Sequence, residues 1–273
     1  DLICYRLAAD RFWLVVNAGT AAADAAWIKA HLSAGTLFTD LSPQLAKLDI
    51  QGPQARELLE EAFGESLPEL RYFHFQEVTL SGVEGLLSRT GYTGEWGYEW
   101  FFPRAAACRC WKRILAPGHI RPAGLGARDT LRVEMGYLLY GHELSTARTP
   151  AGASQGRFLD LDKPFIGREA VRRDLEREDL EVLVGLQIAG RMAARPGAQV
   201  WNGERAVGRV TSGLFAPSLN RAVALAYLET SAAVLGQAVE VEARGRRLAA
   251  KVAPLPFYTA GTARGRSAGG EEP

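Results

Sequence analysis

Apolar positions recur along the chain at strand and helix spacings in turn. Two β-rich runs, "DLICYRL" and "RFWLVVNAG", are separated by "AAD" and predict a hairpin. "TAAADAAWIKAHLSAG" follows as a helix, with Thr20 as N-cap, Gly35 as C′ residue, and Ala25, Ile28 and Leu32 on one face. "TLFTDL" reads as another strand. The order β-β-α-β suits the back half of a split ferredoxin-like unit over residues 1–41.

A second unit is expected over residues 42–167. "LAKLDIQ" alternates as a strand and stops at Gly52-Pro53, and Pro53 can open a helix. Ala55, Leu58, Leu59, Ala62 and Phe63 then repeat at the spacing of a half-buried helix. "FQEVTL" and "VEGLLSR" form a hairpin about Ser81-Gly82, and "SRTGYTGEWGYEWFF" completes the antiparallel set. Arg104 to Leu115 and Ala127 to Leu138 read as helices.

Residues 168–181 are expected to be a charged, helical, solvated connector, and residues 182–258 are all β. "VWNGERAVGRV" contains Asn202-Gly203, a strong hairpin signal, and Arg244-Gly245 joins two later runs. Five or six short strands suggest a barrel or sandwich. From Thr259 the chain turns to Gly, Ala, Ser and Arg, so residues 259–273 are expected to be a disordered tail. The fold class is therefore α+β, with antiparallel connections that disfavour a doubly wound nucleotide fold.

Composition narrows the function classes. The 273 residues are 47% hydrophobic and 23% charged, with a formal net charge of +1, so nothing pulls the chain toward nucleic acid or anionic lipid. No apolar run approaches the ~20 residues a membrane helix needs. Cys4, Cys108 and Cys110 suit a reducing cytoplasm rather than a disulfide framework. His31, His74, His119 and His142 lack metal-ligand spacing, so no metal is expected. The chain opens at Asp1 already inside a strand pattern, with no leader visible. The expectation is that sequence is missing upstream.

Two clusters could carry chemistry. In "PAGLGARDTLRVEMG", Gly124 and Gly126 form a lone G-x-G without βαβ context, more suited to a tight helix entry than to a phosphate. Arg128 and Arg132 share a helix face. They would make either a surface ion-pair network or a partner for a substrate carboxylate. In the aromatic stretch, a strand from Gly97 places Tyr98, Trp100 and Phe102 on one face and Glu99 among apolar neighbours on the other. Glu99 is then either a solvated sheet residue or a carboxylate seeking donors, which a heteroaromatic ligand with adjacent N–H groups would supply. Tyr92 could offer a stacking face.

These residues also carry a resemblance. "RTGYTGEWGYE", "GLGARDTLRVEMG", "LYGHEL" and "DKPFIGREA", with "VVNAG", "IQGP", "GRVTSGLFAPSLN" and "PLPFY" in the same order, resemble the glycine-cleavage T-protein family, the folate-dependent aminomethyltransferases. The match runs from Asp1 to about Tyr258. It implies a cloverleaf in which ferredoxin-like and α+β parts surround a folate site and a C-terminal antiparallel β-barrel closes it. It implies tetrahydrofolate as co-substrate and a lipoylated carrier, the H-protein, as partner. By the same resemblance Tyr92 and Glu99 contact folate, with Trp96 and Tyr98 where Asp and Phe are commoner. Asn17 lies near the pterin, and Arg128 lies on the folate or lipoyl-arm side. Asp1 matches the second acid of an Asp-Asp-Leu-Ile block and takes the catalytic carboxylate role.

Three rivals remain open. A folate-dependent demethylase or methyltransferase would use the same cavity. A non-catalytic folate-binding relative would carry a cysteine in the block that here reads Phe165, Ile166, Gly167. A degenerate binding module is kept in view by Gly152-Ala153, where the family usually has Glu-Ala.

Overall fold

The opening alternation folds as a hairpin. β1 (Leu2–Arg6) and β2 (Phe12–Val16) pair antiparallel, Leu2 opposite Val16 and Arg6 opposite Phe12. The computed structural model describes residues 1–264. α1 spans Ala21–Ala30. Thr20 sits at its N-cap position but caps no backbone group, because its hydroxyl donates to Asp24 Oδ2 at 2.6 Å. The helix closes at His31, so Gly35 is not its C′ residue, and no α1 side chain is buried.

The expected strand "TLFTDL" does not form. Residues 36–41 have no regular structure, and Leu37 is almost fully exposed. Strand propensity gives a strand only where the segment pairs with another, and residues 36–41 pair with none. β1 and β2 pair with each other alone.

The next unit follows its pattern closely. β3 (Leu45–Gln51), β4 (Phe75–Leu80), β5 (Val83–Ser88) and β6 (Gly97–Pro103) form an antiparallel sheet in the order β3-β6-β5-β4. α2 (Ala55–Phe63) ends at Gly64 in the left-handed region, and α3 (Ala107–Leu115) follows a 3-10 turn at Arg104–Ala106. Tyr98, Trp100 and Phe102 point into one core with Leu59 and Phe63 of α2 and Cys110 and Ile114 of α3. Phe101 points the other way, against Tyr5 and Trp13 of the hairpin. The hairpin therefore lies on the face of β6 that carries Glu99.

α4 runs Leu125–Glu134, shorter at its end than the predicted Ala127–Leu138. Gly136, at φ +65, takes the chain out of the helix. α5 (Arg168–Leu175) occupies the charged connector. β7 (Glu181–Ile188), β8 (Gln199–Asn202), β9 (Arg205–Ala216), β10 (Arg221–Glu229), β11 (Ala238–Ala243) and β12 (Arg246–Ala253) close a barrel in the order β10-β7-β12-β11-β8-β9. Asn202 pairs with Arg205, so the β8–β9 turn centres on Gly203-Glu204, one residue later than the Asn-Gly signal suggests.

β10 explains how α4 and the barrel meet. Ala222, Ala224, Ala226 and Leu228 fill the narrow interior, while Val223, Leu225 and Tyr227 face outward against Val133 of α4. Both faces of this strand are dry, which matches its continuous apolar run.

The tail expected to be disordered from Thr259 is instead docked as far as Ala263. The Tyr258 N–H donates to Glu134 O at 2.9 Å, and the Ala263 N–H donates to Gly94 O at 3.0 Å. Backbone pairing and burial of Ala263 compensate for its small, polar composition. The rest of that tail, residues 265–273, lies outside the described residues.

Candidate active site

The glycines of "GYTGEWG" make room for one neighbouring side chain. A Cβ on Gly91 or Gly97 would overlap the amide end of Gln51. That amide donates to Asp49 Oδ1 at 2.7 Å and to Thr90 O at 3.1 Å, and accepts from the Thr93 hydroxyl at 3.1 Å. Gln51 is thus threaded through the glycine slot and fixes Asp49 on β3.

Asp49 lies directly across the sheet from Glu99. Glu99 Oε1 accepts a hydrogen bond from the Lys47 ammonium, and its Oε2 accepts from the Thr90 hydroxyl at 2.5 Å. Thr90 Oγ1 also meets Ser88 Oγ at 2.9 Å and Tyr5 Oη of the hairpin at 3.3 Å. Lys47 lies 3.9 Å from Asp49 Oδ2. Glu99 is buried with one protein donor on each oxygen, so it is not a solvated sheet carboxylate. Burial pushes the Asp49 carboxyl above its ordinary value; Lys47 and Arg128 oppose this and Glu99 adds to it.

α4 brings Arg128 to this shelf. Its Nη1 donates to Asp49 Oδ2 at 3.2 Å, and its guanidinium carbon lies 4.6 Å from the centroid of the Tyr92 ring. Tyr92 stacks with Tyr137 at 5.5 Å between centroids and donates its hydroxyl to Leu138 O. Burial raises the Tyr92 hydroxyl to about 12, so it stays protonated at neutral pH. Tyr92, Arg128, Asp49, Lys47 and Glu99 therefore form one contiguous group. The Tyr92 ring, expected to offer a stacking face, already packs with Arg128 and Tyr137.

Asp1 and Asn17 form a separate pair. Asn17 Nδ2 donates to Asp1 Oδ1 at 2.7 Å and to Asp1 O at 3.2 Å at the open end of the hairpin. Tyr5, four residues along β1, is the hairpin residue that touches Thr90 beside Glu99.

Arg132 departs from the surface ion-pair alternative. It is 1% exposed. Its Nη1 donates to Glu143 Oε2 at 2.8 Å, its Nη2 to Ser212 Oγ at 2.7 Å, and its Nε to Asp129 Oδ1 at 2.8 Å. Glu143 also accepts from the Thr211 hydroxyl at 2.6 Å and the Leu139 N–H at 3.0 Å. One helix face thus sends Arg128 to the sheet and Arg132 to the barrel.

Sequence reasoning missed Lys47, Asp49, Gln51 and Glu143 as site residues. "KLDIQ" did carry a signal for the first three, since its polar residues alternate and must share one strand face. Glu143 lies in an irregular loop, where no periodicity points to it.

The GCVT N-terminal domain matches residues 1–163, and the glycine cleavage T-protein C-terminal barrel domain matches residues 182–259. The chain belongs to the glycine cleavage T-protein family. It is 40% identical over 264 residues to an aminomethyltransferase of Shouchella clausii, covering 94% of this chain and 72% of that one. It is 42% identical over 255 residues to an aminomethyltransferase of Synechococcus elongatus, covering 91% and 67%. The crystal structure of glycine cleavage system aminomethyltransferase T from Bartonella henselae superposes with a TM-score of 0.85 at 33% identity, covering 94% of this chain and 71% of that one.

Proposed function

We propose that this protein is a tetrahydrofolate-dependent aminomethyltransferase of glycine cleavage. It takes the one-carbon unit of an aminomethyl group carried on a lipoylated protein, passes it to tetrahydrofolate and releases ammonia. The observation that carries this is family membership across both halves of the chain, with aminomethyltransferases matched over nearly all of it. The reading also carries a cytoplasmic location and no nucleic-acid or membrane partner; no described helix is long and apolar enough to cross a membrane.

The residues present fit a reduced pterin. Glu99 has one donor on each oxygen, from Lys47 and Thr90, and each oxygen keeps a second lone pair for a ligand N–H. Bound tetrahydrofolate supplies the nucleophilic nitrogen. Glu99 anchors the ring edge, and Arg128, fixed between Asp49 and Tyr92, offers a pre-set cationic fork. Asp1, oriented by Asn17, supplies the carboxylate that stabilises developing positive charge. Holding two reactants in register contributes ~7–11 kcal/mol in favourable cases, which is the chief service such a site performs.

The test is formation of methylenetetrahydrofolate from an aminomethyl-loaded lipoyl carrier. Turnover with the wild type supports the proposal. Turnover only with an N-methylated amine donor would make the protein a demethylase, and folate uptake without turnover would make it a binding module. Glu99→Gln should weaken tetrahydrofolate binding by roughly ten- to a hundredfold, as losing a charge-assisted anchor implies. Glu84→Gln, on the neighbouring strand, should leave it unchanged.

A further inference from the structure

The segment after the barrel reaches back to the loop that carries Tyr92. The family's barrel match ends at residue 259, yet the chain continues in contact with that loop. Trp96 N–H donates to Thr262 Oγ1 at 2.8 Å, and the Thr262 hydroxyl donates to Glu95 Oε2 at 2.6 Å. The Thr262 N–H adds a bond to the same oxygen at 3.2 Å. Ala263 N–H donates to Gly94 O at 3.0 Å, and Arg89 Nη2 donates to Ala263 O at 2.8 Å. Arg89 in turn lies 3.3 Å from the centroid of the Trp96 ring. A Cβ on Gly261 would overlap Gly94 O, so the two backbones touch.

This geometry changes what holds the loop. Trp96 packs into the sheet core and Tyr92 stacks on Tyr137, but the glycines at 91, 94 and 97 leave the backbone between them free unless something fixes it. From inside, Gln51 and the Gly52 N–H, which donates to Trp96 O at 2.7 Å, fix it to β3. From outside, Thr262 and Ala263 fix it. The loop is clamped between the two, and Tyr92 and Glu99 stand at its ends.

We infer that residues 260–264 are a strap that presets the ligand-binding loop, and that Thr262 is a positioning residue acting through Glu95 and Trp96. Its hydroxyl does two jobs at once, accepting from Trp96 and donating to Glu95, which serine can reproduce and valine cannot. The strap stands on geometry alone; its effect on the reaction rests on the function proposed above.

The experiment compares wild type, Thr262→Val and Thr262→Ser by amide hydrogen exchange and by steady-state kinetics with tetrahydrofolate. The Trp96 amide should exchange about tenfold faster in Thr262→Val and at the wild-type rate in Thr262→Ser, since one bond of ordinary strength protects it. KM for tetrahydrofolate should rise about fivefold in Thr262→Val, with kcat within about twofold, and Thr262→Ser should restore it. Unchanged Trp96 exchange in Thr262→Val would overturn the strap. Faster exchange with an unchanged KM would overturn the positioning role. If wild type fails to bind tetrahydrofolate, the functional assignment falls and with it the positioning role, while amide exchange still decides the strap.

Discussion

Asp49 shows how a site residue is set by its surroundings. It sits across from Glu99 and receives Gln51, Arg128 and, at longer range, Lys47. Burial, with Glu99, holds its carboxyl above the ordinary value. A folded-state value above the unfolded one gives stability that is present below the unfolded value and lost as pH rises through the folded one. Asp49→Asn keeps the shape but removes the titration. The stability of Asp49→Asn relative to wild type should therefore increase as pH rises above about 4, where an unshifted carboxyl titrates. Urea unfolding at several pH values measures this, and a difference that stays flat with pH would count against it. None of these partners is near Asp49 in sequence except Lys47 and Gln51. The strand face was legible in "KLDIQ", but Glu99 and Arg128 join it only through the sheet register and the placement of α4.

At the level of elements, the loop from Gly91 to Gly97 is specified by close approach. Gly94 has φ +77, and a Cβ there would overlap the Met135 thioether. Gly82 has a similar φ of +70 with open space around it. Gly82→Ala should cost about 1 kcal/mol for the left-handed backbone alone, and Gly94→Ala about 2–4 kcal/mol because Met135 must also move. Thermal unfolding of the two variants separates the terms, and equal losses would show that Met135 yields freely. Elements with strong local pattern were legible. α2, the alternating faces of β6 and the β-rich C-terminal region all follow from residues adjacent in sequence. "TLFTDL" was misread because it pairs with no other strand, and the docked tail was missed because its partners, Gly94, Glu95, Trp96 and Arg89, lie more than 160 residues away in sequence.

Across the whole molecule, α4 is the joint between the sheet that carries Glu99 and the barrel. Arg128 bonds Asp49 on one side. Val133 packs against the outer face of β10 on the other, and Glu134 receives the N–H groups of Ser218 and Tyr258. Between them Arg132 is fully enclosed with Glu143, and Tyr227 of β10 donates its hydroxyl to Glu143 O at 2.8 Å. A buried ion pair adds little net stability compared with apolar residues of the same volume, but removing one partner strands the other charge at a cost of ~3–5 kcal/mol. Arg132→Met should lower the melting temperature by roughly 10 °C in a chain of this size. Arg132→Met/Glu143→Leu should recover a large part of that loss, because no lone charge remains. The double variant should still raise KM for tetrahydrofolate, because apolar contact replaces the directional bonds that fix α4 and so Arg128. Calorimetry on the two single variants and the double variant, with the kinetics of the double, tests both parts. A double variant no more stable than Arg132→Met would place the cost in lost packing rather than in the stranded carboxylate.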